Sequence, residues 1–233
     1  MRAGFGQVSL MGMSVCVLAL GISAQVRAQE VSGNVGLVSD YRFRGVSLSD
    51  EIFAIQGGLD ADFGNGFAVG TWASSIDQID NSEVELDLYA NYSGEAQGFS
   101  YGVGAILYLY PGSEDTSYYE FLAHVGMNTG MLANTVGIAW APEQDNLNDE
   151  DNFYVYYSAE APLGESGFSL LGGVGYESGA FGDIDSDGDD KIDWHLGVGA
   201  AAFGVDWSLT YIDTSEDDDL SDETIVVSLK KSL

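Results

Sequence analysis

The sequence predicts an all-β protein, a transmembrane antiparallel up-and-down β-barrel of about 12 strands. Apolar and polar residues alternate in segment after segment, and the connections between segments are short and long in turn. The stretch 83–110 shows the unit best, with alternation in 83–92, a polar turn at 93–98 and alternation again in 99–110. Successive side chains of a strand point to opposite faces, so this is a hairpin with one apolar face. Each arm has about ten residues, enough to cross a bilayer.

Twelve segments of this kind can be marked along the chain. They are 31–44, 52–63, 67–74, 83–93, 99–110, 118–128, 131–140, 152–162, 168–177, 192–202, 205–213 and 223–233. Every second connection is short and rich in Gly, as at 64–66 and 203–204. The connections between them are longer and mostly acidic or polar, as at 75–82 and 178–191. This alternation puts all short turns at one end of the barrel, as in outer-membrane barrels.

A secreted β-sandwich is the alternative fold, since it too would show many strands with one apolar face. Several predicted strands have ten or more residues, whereas sandwich strands usually have about five or six. Aromatic residues also recur at both ends of the outward face. They are Tyr41, Phe43, Phe53 and Trp140 near the long loops, and Phe63, Phe67, Tyr92, Phe99 and Phe168 near the short turns. Two aromatic girdles are typical of a protein that crosses a membrane.

Residues 1–28 have the features of a secretory signal peptide, which leaves 29–233 as one barrel domain. Arg2 precedes an apolar run at 8–24, and Val-Arg-Ala at 26–28 fits the small-residue cleavage rule. An uncleaved membrane anchor is the alternative, but the apolar run is short for a spanning helix. Cys16, the only cysteine, lies in this run. The mature chain would therefore have no disulfide, zinc–thiolate site or cysteine nucleophile.

The composition fits a protein whose apolar residues are spread over many strands. Hydrophobic residues make up 45% of the chain, Gly occurs 31 times and aromatic residues reach 12%. The formal net charge is -30. Nucleic-acid binding is excluded as a function, because phosphate contacts need a basic surface. A negative field of this strength repels anions and concentrates cations.

Several stretches of the first half resemble the TorF family of bacterial porins. They are Val-Ser-Asp-Tyr-Arg-Phe-Arg-Gly at 38–45, Gln-Gly-Gly-Leu at 56–59, Gly-Thr-Trp-Ala-Ser at 70–74, Glu-Leu-Asp-Leu-Tyr at 85–89, Tyr-Leu-Tyr-Pro-Gly at 108–112 and Tyr-Glu at 119–120. The resemblance implies a barrel in the outer membrane of a Gram-negative bacterium, in contact with the lipid bilayer, with a channel role. It also implies the barrel-assembly machinery as a partner. One departure is Leu233, where such barrels usually end in the aromatic residue that this machinery reads.

Charged residues in the predicted strands should face the lumen, because facing lipid would cost a few kcal/mol each near the bilayer midplane. The residues predicted to line the pore are Asp40, Arg42, Arg44, Glu85, Asp87, Tyr108, Glu120 and His124. Arg42 and Arg44, placed on the first strand, stand out among few basic residues. They would face acidic residues across a constriction that sorts ions and favours cations. The alternative is a salt-bridged plug that fills a narrow barrel.

The sequence contains no motif that predicts an enzyme. His124 and His195 are its only histidines, near Glu120 and Asp193 respectively. No Gly-x-Ser-x-Gly elbow marks a nucleophile. Hydrogen-bonded histidines lining the lumen are therefore the preferred interpretation, and we predict no enzymatic activity.

The acidic loop 183–193 matches the start of a calcium-binding loop. Asp183, Asp185 and Asp187 stand at alternate positions before Gly188, with Asp189 next as a further ligand. Position 12 is Trp194 instead of the bidentate Glu, so weak calcium binding is one interpretation and a solvated acidic loop the other. No other cofactor is predicted. The predicted function is a porin-like channel for passive diffusion of small solutes or ions, with a cation preference. The alternative is a closed barrel whose acidic loops bind partners at the cell surface.

Overall fold

The computed structural model describes residues 30–113, 116–183 and 190–233, so the predicted signal peptide lies outside the described residues. The strands are β1 (Glu30–Val38), β2 (Arg42–Phe43), β3 (Val46–Ser47), β4 (Ala54–Asp62), β5 (Phe67–Ile79), β6 (Ser82–Ala96), β7 (Phe99–Leu109), β8 (Tyr118–Thr129), β9 (Leu132–Gln144), β10 (Glu150–Pro162), β11 (Phe168–Gly179), β12 (Lys191–Ala202), β13 (Val205–Thr214) and β14 (Thr224–Ser232). A 3-10 helix covers Asp145–Leu147. Within the described ranges, no helix has the length and apolarity needed to cross a membrane.

Twelve of these strands form one closed antiparallel barrel, which confirms the predicted fold class. Each strand from β4 to β14 pairs with its sequence neighbour, and β1 closes the ring by pairing with both β4 and β14. The short turns have the left-handed backbone that tight hairpins require. Between β6 and β7, for example, Gln97 and Gly98 have φ values of 55° and 85°. The remaining pair, β2 and β3, forms a separate two-stranded sheet.

The two faces of the barrel wall differ sharply in exposure, as the alternation predicted. On β6 the side chain of Leu88 is 44% exposed, whereas Glu85 and Asp87 are 1% and 5% exposed. On the neighbouring strand β7, Val103 is 55% exposed and Tyr108 only 4%. The apolar residues therefore face outward and the polar ones face the lumen. An outer surface so rich in exposed Val, Leu and Phe is suited to contact with lipid.

The prediction of a first strand over 31–44 is wrong. The wall strand β1 ends at Val38, where it pairs with Ala54 of β4 and Ser228 of β14. The chain then leaves the wall and folds into the lumen, where Tyr41 packs on Trp72 with ring centroids 5.3 Å apart. Assigning Tyr41 and Phe43 to the outer girdle was therefore wrong as well. The physical reason is that Arg44 has carboxylate partners across the lumen, so the chain around it turns inward and both aromatic rings pack inside the barrel.

The other predicted girdle residues lie on the outer surface or beside it. Phe53 and Trp140 are exposed at the long-loop end, as are Phe63, Phe67, Phe99 and Phe168 at the short-turn end. Tyr92 packs against Phe67, with ring centroids 4.9 Å apart. The predicted loop 75–82 is wrong, because β5 and β6 continue through it to a turn at Asp80 and Asn81. A register shift after Ser75 accommodates the polar residues that interrupted the pattern.

Candidate functional site

The segment 39–53, which joins β1 to β4, enters the lumen at the long-loop end and is called the inserted segment below. Its centre is the β2–β3 hairpin, in which Arg42 pairs with Ser47 and Phe43 with Val46. Arg44 and Gly45 form the turn, with φ values of 49° and 89°. A Cβ atom at Gly45 would lie 3.2 Å from Cβ of Asp193 on β12. Gly45 therefore allows both the turn and the close approach of the segment to the wall.

Arg42 ties the inserted segment together and to the last long loop. Its Nε donates to Asp40 at 2.5 Å and its Nη2 to Glu51 at 3.0 Å. Its Nη1 donates to three backbone carbonyls, those of Gly45, Leu220 and Asp222, at 2.7–3.1 Å. Asp40 also accepts hydrogen bonds from the hydroxyls of Ser47 and Ser49. Every nitrogen of this guanidinium thus has a partner, which orders the segment around it.

Arg44 reaches across the lumen to the opposite wall. Its Nη2 donates to both carboxylate oxygens of Glu120 on β8 at 2.7 Å, and its Nη1 donates to Glu177 on β11. The guanidinium also lies 4.7 Å from the ring centroid of Phe43 and 4.5 Å from that of Tyr154. Burial favours the neutral form, but the two carboxylates outweigh it and raise the pKa of Arg44 well above its ordinary value. Arg44 therefore stays positively charged in its position between Glu120 on β8 and Glu177 on β11.

The carboxylates of the wall have further donors. Glu177 forms an ion pair with Nζ of Lys191 at 2.6 Å and accepts a hydrogen bond from Nδ2 of Asn152 at 2.8 Å. Glu120 accepts from the hydroxyl of Tyr108 at 3.0 Å. Glu85 accepts from two hydroxyls, those of Tyr41 at 2.6 Å and Tyr110 at 2.8 Å. Removing one member of such a network leaves its buried partners without hydrogen bonds, which costs free energy.

At the level of Arg44, side chains fill the lumen across its width. The side chains of Arg44, Glu120 and Glu177 have no exposed surface. Each of the twelve wall strands also contributes a side chain that is buried inside the barrel, and four of these, Val38, Gln56, Tyr108 and Val226, lie between this layer and the cavity described below. The twelve are Val38, Gln56, Ser74, Glu85, Tyr108, Glu120, Ala139, Tyr154, Glu177, Asp193, Thr210 and Val226. A water-filled passage beside Arg44 would leave some of these side chains exposed, so the lumen is blocked here.

An apolar cluster lies in the same half of the barrel. Ile76, Tyr110, Tyr118 and Leu147 are buried together, with Leu48 and Phe181 packed against them. Leu48 brings the inserted segment into this cluster, so the segment is held by apolar packing as well as by ion pairs.

A cavity of about 120 Å³ lies in the lumen beneath the inserted segment. Its roof includes Tyr41, Arg42 and Phe43, and its wall includes Asp87 and His124. Inward side chains farther toward the short turns are half-buried, among them Asp60, Tyr89, Asn91, Tyr156 and His195. The short-turn half of the lumen is therefore partly open, in contrast to the layer around Arg44.

The structure places the eight residues predicted to line a pore in two regions. Asp40, Arg42, Arg44, Glu85, Tyr108 and Glu120 belong to the blocked layer or to the inserted segment, and His124 lines the cavity. Asp87 is only 5% exposed and lines the cavity as well, as do Asp40, Arg42 and Tyr108. Asp40, Arg42 and Arg44 lie in the lumen as part of the inserted segment, not on the first wall strand as predicted.

Sequence reasoning missed Glu177, Lys191 and Asn152, which complete the Arg44 network. Glu177 stood at the end of a predicted strand, and Lys191 one residue before the next. The signal that could have found Lys191 is its rarity as a basic residue in so acidic a chain. Asp193 accepts a hydrogen bond from Tyr154 at 3.2 Å, and Tyr154 also stacks on Arg44.

The predicted calcium ligands lie mostly in a part of the chain that the structure does not cover. Asp185, Asp187 and Asp189 are outside the described residues, and Asp183 is exposed at their edge. Across 30–113, 116–183 and 190–233, no three His, Cys, Asp or Glu side chains are grouped to hold a metal ion. Calcium binding therefore stays a prediction.

The family to which the chain belongs is shown by its sequence. Residues 24–233 match the model of a family described as "Bacterial protein of unknown function (Gcw_chp)". The chain belongs to the Gcw_chp family. No curated protein matches this Gcw_chp sequence.

Solved structures resemble the Gcw_chp barrel in fold. The NanC porin is 10% identical in sequence with a TM-score of 0.56, over 87% of this chain and 98% of its own. An outer membrane channel from Pseudomonas putida F1 is 11% identical with a TM-score of 0.52, over 91% of this chain and 99% of its own. At these identities the likeness concerns the fold alone.

Proposed function

We propose that this protein is a porin-like, non-enzymatic channel in the outer membrane of a Gram-negative bacterium. Small solutes or ions, with cations preferred, would diffuse through it passively when the inserted segment leaves the lumen. The fold shared with the NanC porin and the Pseudomonas putida channel supports this proposal. The apolar outer face supports a place in the lipid bilayer. The resemblance of 38–45 and later stretches to the TorF family of porins supports it further, and with it assembly by the barrel-assembly machinery.

The observation that carries the proposal is that the blocking element is not part of the barrel wall. The inserted segment bonds to surrounding elements through few backbone hydrogen bonds, among them Ser47 N to Leu220 O and Asp77 N to Leu48 O, both 2.8 Å. Its main attachments to the wall are side-chain contacts, namely the ion pairs of Arg44 with Glu120 and Glu177 and the hydrogen bond from Tyr41 to Glu85. Arg42 attaches it to the last long loop by donating to two backbone carbonyls. The segment can therefore move without breaking any pairing between wall strands.

The energetics also favour a segment that can be displaced. A buried ion pair gains Coulomb energy but loses the hydration of both charges, so its net contribution to stability is small. Displacement would return water to Glu120 and Glu177 and offset much of the lost attraction. The apolar contacts of Tyr41, Phe43 and Leu48 and the hydrogen bonds from Arg42 to the last long loop would remain as a cost of opening. The blocked conformation is therefore the more stable one, and the open conformation is a minor state.

The preference for cations follows from the charges that would remain on the wall. Five acidic side chains face the lumen from the barrel wall, and Lys191 is a basic side chain that offsets part of their charge. The five are Glu85, Asp87, Glu120, Glu177 and Asp193. In the blocked conformation Arg44 neutralises part of this charge. Once the inserted segment has left, the wall carries an excess of negative charge, which admits cations and repels anions.

Planar-bilayer recording of the purified, refolded full-length barrel under a KCl gradient tests the proposal. We expect discrete current steps, because the segment leaves the lumen from time to time, and a reversal potential of the sign for cation flow. Folding is checked by β-sheet circular dichroism and heat-modifiable gel migration. A sealed bilayer with folded protein inserted, or a reversal potential of the sign for anion flow, would contradict this function.

The blocked layer at Arg44 favours a second candidate function, a closed barrel whose acidic long loops, with or without calcium, bind partners at the cell surface. This candidate requires no displacement of the inserted segment. It would replace the channel if neither the full-length barrel nor a barrel lacking the segment conducts ions.

A further inference from the structure

One wall carboxylate beneath the inserted segment differs from its neighbours. Asp87 on β6 is 5% exposed and lines the cavity, yet its Oδ1 atom has no hydrogen-bond partner among the described residues. By contrast, Glu85 accepts from Tyr41 and Tyr110, two residues away on the same strand. Leaving a buried carboxylate oxygen without a donor is costly, because the lost hydration is not replaced. Asp87 therefore presents an acceptor that is suited to a donor from outside the chain.

Aromatic rings surround this acceptor. The register places Asp87 between Trp72 of β5 and Tyr108 of β7 on the inward face. Tyr41 lies against Trp72 with centroids 5.3 Å apart, and Phe43 against Tyr108 with centroids 5.8 Å apart. All four rings line the cavity. The π-face of an aromatic ring attracts cations, Trp most strongly, so carboxylate and rings favour the same kind of ligand.

The charges and the size of the cavity restrict the ligand further. Asp40 and Arg42, which also line the cavity, form an ion pair at 2.5 Å and cancel each other. Asp87 is thus the carboxyl group of the cavity lining that no basic side chain of the described residues pairs with. A volume of about 120 Å³ has room for on the order of ten non-hydrogen atoms. The lining also includes apolar Ile106 and Leu122, which would contact a hydrocarbon part.

We propose that the cavity binds a small primary amine in its cationic form. The ammonium group would donate to Asp87, and the hydrocarbon part would lie among the rings of Trp72, Tyr108, Tyr41 and Phe43. This inference deepens the proposed channel function by naming a solute class, and in that sense rests on it. Binding itself needs no conduction, because the cavity exists while the lumen is blocked. Two of its four rings belong to the inserted segment, so a bound amine would contact that segment directly.

Isothermal titration calorimetry of the refolded barrel in detergent micelles tests this site, with benzylammonium chloride as the probe. Benzyl alcohol, of nearly the same shape but uncharged, is the matched ligand control. We expect saturable binding of benzylammonium, at least about tenfold tighter than that of benzyl alcohol. The variant Asp87→Asn preserves the shape and should weaken benzylammonium binding by about tenfold or more. The control variant Glu160→Gln alters a half-buried lumen carboxylate outside the cavity and should leave binding unchanged.

Equal affinity for the two ligands, or unchanged binding by Asp87→Asn, would overturn the site. Should Asp87→Asn fail to fold, Trp72→Leu provides the second variant, and benzylammonium binding as tight as in the wild type would then overturn it. The outcomes also separate this inference from the proposed function. Conductance without amine binding overturns the site alone, whereas amine binding by a barrel that never conducts overturns the channel alone.

Discussion

Replacing 41–52 of the inserted segment by two glycines should convert the barrel into a steadily conducting, cation-selective pore. The replacement is compatible with the fold, because Val38 and Ala54 are already paired across β1 and β4 and a short loop can join them. It removes Arg42 and Arg44 together with the aromatic roof of the cavity. Water would then hydrate Glu120 and Glu177, which removes the cost of leaving them without Arg44.

Planar-bilayer recording should show larger and longer-lived currents than those of the full-length barrel, with a reversal potential of the sign for cation flow. The same shortened barrel with Glu120→Gln and Glu177→Gln is the matched control for charge. It should conduct similarly but with a weaker cation preference, since two of the wall carboxylates are neutral. A shortened barrel that is folded and silent would show that the wall itself blocks the lumen.

Arg44→Met should favour the open conformation although the other residues of the inserted segment are unchanged. Removing one partner of a buried ion pair typically costs about 3–5 kcal/mol. Glu120 keeps the Tyr108 hydroxyl, and Glu177 keeps Lys191 and Asn152, so we expect the lower end, about 3 kcal/mol. This corresponds to an increase of about a hundredfold in the ratio of open to blocked conformation. The measurements are the open probability in planar bilayers and the amide hydrogen exchange of 39–53.

Lys231→Met is the matched control for Arg44→Met, because it removes an exposed basic side chain far from the blocked layer and should leave the open probability unchanged. Arg44→Lys keeps the charge but loses the fork that contacts Glu120 and Glu177 together, so an intermediate open probability is expected. An Arg44→Met barrel with wild-type open probability and wild-type exchange in 39–53 would rule out Arg44 as the residue that holds the segment.

The wall of this barrel was predictable from sequence because the pattern that specifies it is local. A period of two between apolar and polar residues is a direct consequence of strand geometry, and it holds along β6 and β7 for more than ten residues each. Turns such as Gln97–Gly98 are also local, since they need only a backbone with positive φ. Strand number and the inward face of Glu85 and Asp87 followed from these signals.

The inserted segment was not predictable by the same means. Tyr41-Arg42-Phe43-Arg44 alternates in the same way whether it extends the wall or forms a hairpin inside the lumen, so periodicity cannot distinguish the two. The local indication was Gly45 after Arg44, because a glycine here favours a turn and a turn ends a strand. The deciding contacts are distant, since Arg44 meets Glu120 and Glu177 at separations of 76 and 133 residues. Pairings of this kind depend on barrel register and are invisible in a single sequence.

A reversible disulfide between the inserted segment and the wall tests the central claim most directly. A Cβ atom at position 45 would lie 3.6 Å from Cβ of Thr214, close to the separation of about 3.8 Å that is typical of disulfides. The φ of 89° and the Asp193 Cβ atom at 3.2 Å strain a cysteine at this position, at a cost on the order of 1–3 kcal/mol, so the fold of the double variant is checked by circular dichroism and heat-modifiable gel migration. The chain has no cysteine besides Cys16 in the predicted signal peptide, so Gly45→Cys with Thr214→Cys would form one defined bridge. The measurement is the planar-bilayer current of this double variant before and after a reductant is added. We expect silence while the bridge is intact and cation-selective steps once it is reduced, because only then can the segment leave the lumen. Equal currents before and after, with the bridge verified by mass spectrometry, would contradict the claim that the inserted segment gates the barrel.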